Sequence, residues 1–205
     1  RLRRGYVIVD VTPERVQAEW YLLSSVLTPV TDEVLAAIGR RHTAQDVLDC
    51  FAQARRMGHG NINMDLIAGL PLDTPARFAQ TLQGVLALAP ENITVHTLTL
   101  KRASNLVIEH APNAYGDVAR MLDSCALLGE NGYEPYYLYR QKGTLQNLEN
   151  TGYTRPGYAG LYNVFIMEEV HTILSAGAGG STKLVGPDGH IRRIFNHKYP
   201  LEYIE

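Results

Sequence analysis

Asp65 lies inside an apolar, strand-like run, Asn61-Ile62-Asn63-Met64-Asp65-Leu66-Ile67-Ala68, which breaks at Gly69-Leu70-Pro71. An unpaired acid in an apolar sheet costs on the order of several kcal/mol. Asp65 therefore either caps a nearby backbone N–H or faces a ligand that brings a hydroxyl, an amine or a cationic group, and the residues alone leave both readings open. A helical pattern over residues 74–88 follows at once. Strand, sharp turn and helix make half of a βαβ unit. Such units gather their ligands at the carboxyl ends of the strands.

Other side chains are candidates by type and position. Arg40-Arg41-His42 closes a short helical pattern. Cations there are favoured by the helix macrodipole, and a guanidinium also suits bidentate capture of a carboxylate. His96 lies near the end of a second strand pattern and Lys101-Arg102 follows it, where an α/β fold would hold a ligand. A lone His is more often structural, and a Lys-Arg pair is often simply solvated. In Tyr136-Tyr137-Leu138-Tyr139-Arg140-Gln141-Lys142, strand alternation puts Tyr137, Tyr139 and Gln141 on one face. Tyr136, Leu138, Arg140 and Lys142 fall on the other. An aromatic strand is more often core or sheet surface than a binding platform, and two cations on one face add weight for an anionic ligand. Ala176-Gly177-Ala178-Gly179-Gly180-Ser181 permits close approach of a ligand to the backbone, but it is not a dinucleotide fingerprint. The chain has no P-loop, Gly-x-Ser-x-Gly, His-Glu-x-x-His or cysteine cluster.

These residues need elements to position them. Alternation over residues 5–11 and 16–23, around Thr12-Pro13-Glu14, predicts a β-hairpin. Helices are predicted over 31–41 and 43–57, with Thr31 and Thr43 as N-caps and Gly58 as a stop. Strand 62–67, helix 74–88, strand 93–100, a polar loop over 101–113, helix 118–128 and a Tyr-rich strand over 134–141 follow. Residues 142–160 read as irregular, 161–174 as strand then helix, 191–195 as a short strand after a Pro-Asp-Gly turn, and 201–205 as the start of a helix. The strand–helix alternation from 31 to 140 predicts a parallel sheet with helices outside. Two or three parallel strands are too few to close a barrel.

The totals describe an ordinary globular chain. Its 205 residues are 45% hydrophobic and 20% charged, enough for a sizeable core. A net charge of −2 gives no electrostatic reason to expect nucleic acid. No apolar run has the length of a membrane helix, and no signal peptide is visible behind Arg1-Leu2-Arg3-Arg4. The absence of a starting Met predicts an excised or incomplete piece. The two cysteines, Cys50 and Cys125, both fall in helical patterns and read as buried thiols in a reducing cytoplasm rather than as a disulfide.

Several segments, taken in order, resemble one family. They are Ile38-Gly39-Arg40-Arg41-His42-Thr43, residues 61–71, Val95-His96-Thr97-Leu98-Thr99-Leu100-Lys101-Arg102-Ala103-Ser104, residues 132–142, Asn147-Leu148-Glu149-Asn150, and residues 161–169. Over about residues 32–205 the chain resembles the oxygen-independent coproporphyrinogen III oxidases, also called coproporphyrinogen dehydrogenases. These are radical S-adenosylmethionine (radical SAM) enzymes with a partial (β/α) barrel. In that family a [4Fe–4S] cluster, held by Cys-x-x-x-Cys-x-x-Cys, reduces S-adenosylmethionine. The 5′-deoxyadenosyl radical abstracts a propionate β-hydrogen, and loss of carbon dioxide leaves a vinyl group. Two such events turn coproporphyrinogen III into protoporphyrinogen IX in haem synthesis.

The resemblance implies a cofactor site for S-adenosylmethionine built from Arg40, Asp65, Ile67, His96 and Thr99, with Gly177 and Gly179 in a loop covering it. It also implies a tetrapyrrole site with Arg102, Arg140 and Lys142 on its cationic side. The family often has Ala where Thr99 stands. The cluster cysteines, the early barrel strands and the Gly-rich S-adenosylmethionine motif have no counterpart here, and Cys50 and Cys125 lie too far apart to substitute. Thr28 stands where the family has a strand-end Gln. Residues 1–23, through Arg3-Arg4-Gly5-Tyr6-Val7, Asp10-Val11-Thr12-Pro13-Glu14-Arg15 and Gln17-Ala18-Glu19-Trp20, resemble the C-terminal hairpin of alkaline phosphatase D-type phosphoesterases.

The expectation is an α/β chain in three parts. Residues 1–30 form a β-hairpin, foreign or divergent in origin, 31–113 an incomplete radical-SAM (β/α) barrel holding its last parallel strands, and 114–205 an α+β region. The expected function is that of a partial coproporphyrinogen dehydrogenase-like enzyme, inactive by itself because nothing ligates a cluster. The alternative is a cluster-free tetrapyrrole or nucleoside binder, or an inert folded fragment.

Overall fold

The computed structural model describes residues 5–11, 16–22, 32–99, 117–139 and 148–204. They form two compact units, residues 1–159 and 160–205. In the first unit, strands β1 (Gly5–Val11) and β2 (Val16–Leu22) pair as the antiparallel hairpin expected, from Gly5 opposite Leu22 to Val11 opposite Val16.

Helix α1 (Asp32–Ala37) leads into α2 (Ala44–Arg56), whose start is fixed by a capping box. The Thr43 side chain accepts from the Asp46 N–H, and the Asp46 carboxylate accepts from the Thr43 N–H, so two orphan donors are satisfied at once. Arg55 closes the helix. Its guanidinium lies over the Phe51 ring and donates to the carbonyls of His59 and Ala89 and to the Glu91 carboxylate at 2.8 Å. The second Glu91 oxygen accepts from the Ile62 N–H. This cross-link ties the end of α2 to the amino edge of the sheet.

Strand β3 (Asn63–Ala68) alternates across its two faces: Met64, Leu66 and Ala68 are buried, while Asp65 and Ile67 are only half-buried. Gly69, at φ 96°, makes the sharp turn after it, which a side chain would strain. Helix α3 (Pro75–Leu88) begins with Thr74 as N-cap and proline in its first turn, then buries Phe78, Thr81, Leu82 and Val85. That spacing is one helical face. Strand β4 (Asn92–Thr97) runs parallel to β3 with Asp65 opposite Thr94 and Ile67 opposite His96. The buried faces of both strands pack on α3 and on Val118, Met121, Cys125 and Leu128. Each such side chain contributes about 1.5–3 kcal/mol by leaving water.

Five expectations are corrected. The helix over 118–128 is two short helices, α4 (Val118–Asp123) and α5 (Ala126–Glu130). The Ser124 hydroxyl donates to the Met121 carbonyl at 2.6 Å, and such back-bonding competes with the helical ladder. The alternation to 140 does not yield a run of adjacent parallel strands. Part of the segment read as irregular is strand β6 (Asn150–Thr154), which pairs antiparallel with both β4 and β5 (Glu134–Tyr139), giving the order β3-β4-β6-β5. A bulge between Pro135 and Tyr137 breaks the alternation at Tyr136, whose ring meets Tyr137 edge-on instead of standing on the opposite face. The 161–174 stretch begins with a helix, α6 (Leu161–Glu168), capped by Gly160 and ended at Glu169 in the left-handed region. Its β-branched and aromatic residues suggest a strand, but the backbone is helical there.

The second unit holds α6, the hairpin β7 (Ser181–Val185) with β8 (Ile191–Phe195), and α7 (Pro200–Ile204). Asp188 accepts from the His190 N–H in the hairpin turn. The buried Lys183 donates to the Phe165 carbonyl, and Phe165 stacks on His171.

Candidate functional site

The half-buried face of the four-stranded sheet carries a connected polar network. Its geometry follows from register. Asp65 stands opposite Thr94, Thr94 opposite Gly152, and Gly152 opposite Tyr137, so one row crosses all four strands. Gly152 has no side chain on that row, and a Cβ there would collide with the Tyr137 ring. The ring passes over β6, and its hydroxyl meets the Thr94 hydroxyl at 3.3 Å. The Thr94 hydroxyl donates to Asn63 Oδ1 at 3.0 Å, and Asn63 Nδ2 donates to Asp65 Oδ1 at 2.6 Å. Burial pushes the Tyr137 phenol well above its ordinary range, and the nearby Tyr136 and Asp65 add to the effect against the Thr94 hydrogen bond.

A second row joins the same carboxylate. The Tyr139 ring stacks on Tyr137, and its hydroxyl lies 3.1 Å from His96 Nδ1. His96 Nε2 lies 3.6 Å from Asp65 Oδ1. At that distance the contact is electrostatic rather than a hydrogen bond. Both contacts to Asp65 fall on Oδ1, and among the described residues nothing bonds to Oδ2. The face thus offers one carboxylate oxygen, held from behind, to a ligand bringing hydroxyl or ammonium donors. Among the described residues Asp65 caps no backbone N–H, and its partners are the side chains of Asn63 and His96.

The remaining sequence candidates separate into groups. Ile67 shares the Asp65 face and packs with Ile38 against Val34, Leu35, Leu70 and Leu98. That cluster brings the end of α1, and so the turn holding Arg40, to the carboxyl ends of β3 and β4. Arg40 is exposed, its N–H donates to the Leu35 carbonyl, and it makes no ion pair among the described residues. Thr99 follows β4 and reaches back to the Thr97 carbonyl at 3.4 Å. Gly177 and Gly179, at φ 100° and 72°, lie in the second unit, in a loop pinned by Asn196 Nδ2 on the carbonyls of Ser175 and Gly177. Arg102, Arg140 and Lys142 lie outside the described residues.

Asn63, Thr94, Gly152 and Tyr139 belong to the network without having been singled out. Alternation from Asp65 points to Asn63, and the pairing of Tyr137 with Tyr139 on one face points to Tyr139. Nothing local identifies Gly152, because its role depends on the strand pairing.

Among the described residues no group of three His, Cys, Asp or Glu side chains gathers to hold a metal, and no helix is long and apolar enough to cross a membrane. Both cysteines are free. Burial pushes the Cys125 thiol up to about 12, against a hydrogen bond with Tyr153. That thiol is a core group and not a thiolate ligand.

Comparison with known proteins places this face in context. No protein-family model matches the chain. The solved structure of the coproporphyrinogen III oxidase HemN from Escherichia coli, a radical SAM enzyme, superposes with a TM-score of 0.59 at 19% identity, covering 84% of this chain and 40% of that one. The fold is therefore part of the radical SAM fold. The oxygen-independent coproporphyrinogen-III oxidase-like protein HemZ of Bacillus subtilis is 45% identical over 179 residues, which are 85% of this chain and 36% of that protein. The heme chaperone HemW of Haemophilus influenzae is 25% identical over 97% of this chain and 51% of its own length, so that match runs into the first thirty residues. The chain spans between about a third and a half of these relatives. The chain is a homologue of part of the oxygen-independent coproporphyrinogen-III oxidase-like protein HemZ and shares its fold with part of HemN, as the order of its motifs implied.

Proposed function

We propose that this chain is the part of a coproporphyrinogen dehydrogenase-like radical SAM enzyme that presents strand ends to S-adenosylmethionine, in the cytoplasmic branch of haem synthesis. The observation that carries the reading is Asp65. It is a half-buried carboxylate with one oxygen held by Asn63 and facing His96, and the other free of partners among the described residues, within the segment that matches HemZ. That donor set fits S-adenosylmethionine, whose ribose hydroxyls and amino group are the donors a free carboxylate oxygen accepts. Arg40 would pair with the carboxylate of the same ligand, and Ile67, His96 and Thr99 would flank it.

When bound beside a reduced cluster, S-adenosylmethionine supplies hydrogen-atom abstraction from a propionate side chain. The cluster does not fit the described residues, because Cys125 is a buried, protonated core thiol and Cys50 stands apart from it. No radical step is therefore assigned to them, and this chain by itself is expected to be inactive. Arg102, Arg140 and Lys142 would meet propionates, since coproporphyrinogen carries four and needs several cations around an apolar wall.

The HemW match favours a second reading, a tetrapyrrole binder without radical chemistry. Titration of the chain with S-adenosylmethionine and, separately, with haem distinguishes the two. Saturable S-adenosylmethionine binding lost on Asp65→Asn supports the first reading. Haem binding with no response to S-adenosylmethionine supports the second.

A further inference from the structure

The donors behind Asp65 have a definite sense. His96 Nε2 faces the carboxylate at 3.6 Å, beyond hydrogen-bond reach. The negative charge still favours the tautomer with its hydrogen on Nε2, since a carboxylate only accepts. In the neutral imidazole Nδ1 is then an acceptor, and the Tyr139 hydroxyl 3.1 Å away donates to it. The other row points the same way. Asn63 Nδ2 donates to Asp65, which turns Asn63 Oδ1 towards the Thr94 hydroxyl as an acceptor. Thr94 spends its one hydrogen there, so the Tyr137 hydroxyl is the donor in the Tyr137–Thr94 pair. Each row therefore starts at a tyrosine of β5, crosses the sheet, and ends on the same oxygen, Asp65 Oδ1.

We infer that Tyr137 and Tyr139 are positioning residues for Asp65. Their hydroxyls fix the Thr94–Asn63 rotamers and the His96 tautomer, so that Oδ1 is occupied and Oδ2 alone is presented to the ligand. The two rings stack nearly parallel, 7° apart, and Gly152 leaves the path of one of them clear. β5 thus sets the aim of a carboxylate three strands away. The ligand class is one with paired donors, such as a ribose diol or a primary ammonium, and this part of the inference rests on the S-adenosylmethionine reading. The relay itself does not.

The experiment is nitrogen-15 NMR of the histidine rings in this chain, with the His96 signals assigned among the seven histidines by their loss in His96→Gln. At pH values where the ring is neutral, the relay predicts Nε2 protonated and Nδ1 in the acceptor range. Tyr139→Phe should shift His96 towards a tautomer mixture while Tyr137→Phe leaves it in place. A wild-type ring protonated at Nδ1, or one unmoved by Tyr139→Phe in a folded variant, overturns the inference. In parallel, S-adenosylmethionine affinity should fall about fivefold in Tyr139→Phe, the scale of one neutral hydrogen bond. The tautomer result decides the relay if the chain binds no S-adenosylmethionine. A correct tautomer combined with binding indifferent to Asp65→Asn would retain the relay and remove the cofactor reading.

Discussion

The Tyr137 ring occupies the space that a side chain at position 152 would fill, so these two residues on neighbouring strands form one unit. Gly152→Ala should destabilise the chain by about 1–3 kcal/mol, the usual cost of forcing atoms into a packed site. Urea unfolding measures it. In a Tyr137→Ala background the same substitution should cost much less, because the obstructing ring is gone. Equal costs in both backgrounds would mean that Gly152 is required for its backbone instead.

Asp73 gives a prediction with a definite sign. It is buried in the turn after β3, where desolvation raises its carboxyl pKa against the lowering effects of the Thr74 N–H and Arg77. The ionised form is disfavoured in the fold relative to the unfolded chain, so Asp73 costs stability above its folded pKa. That cost disappears as pH falls below the ordinary carboxyl range, where both states are protonated. Asp73→Asn keeps an acceptor for Thr74 and removes the charge. The variant should melt higher than the wild type at neutral pH, and the difference should shrink on acidification. A variant less stable at pH 7 would show that the charge is compensated in the fold.

The sequence announced the Thr43 cap and the two parallel strands because their signals are local, whereas Thr31, the other cap expected, lies outside the described residues. Thr43 before its helical pattern and the alternation around Asp65 each lie within a few residues. Asp65 was legible as a candidate, either capping or ligand-facing, because an acid in an apolar strand is costly wherever the strand sits. The strand Asn150–Thr154 was not legible. It is short and polar with a glycine at its centre, and its stability comes from β4, β5 and the Tyr137 ring. The break at Ser124 was hidden for the reverse reason: residues 118–128 keep an apolar helical face across it, and a side-chain hydrogen bond outcompetes the ladder. Family resemblance supplied Ile67 and Thr99, which no physical signal in the chain had marked, and it joined them to Arg40, which its guanidinium at a helix end had marked only as a carboxylate clamp.

The most direct test of the account is calorimetric titration of S-adenosylmethionine into the complete HemZ relative with its cluster intact, comparing the wild type with the substitution equivalent to Asp65→Asn. The account predicts a loss of about 1–3 kcal/mol in binding, the range for a hydrogen bond to a charged group, with the counterpart of Asp73→Asn leaving the affinity unchanged. An unchanged affinity for the Asp65→Asn counterpart would contradict it.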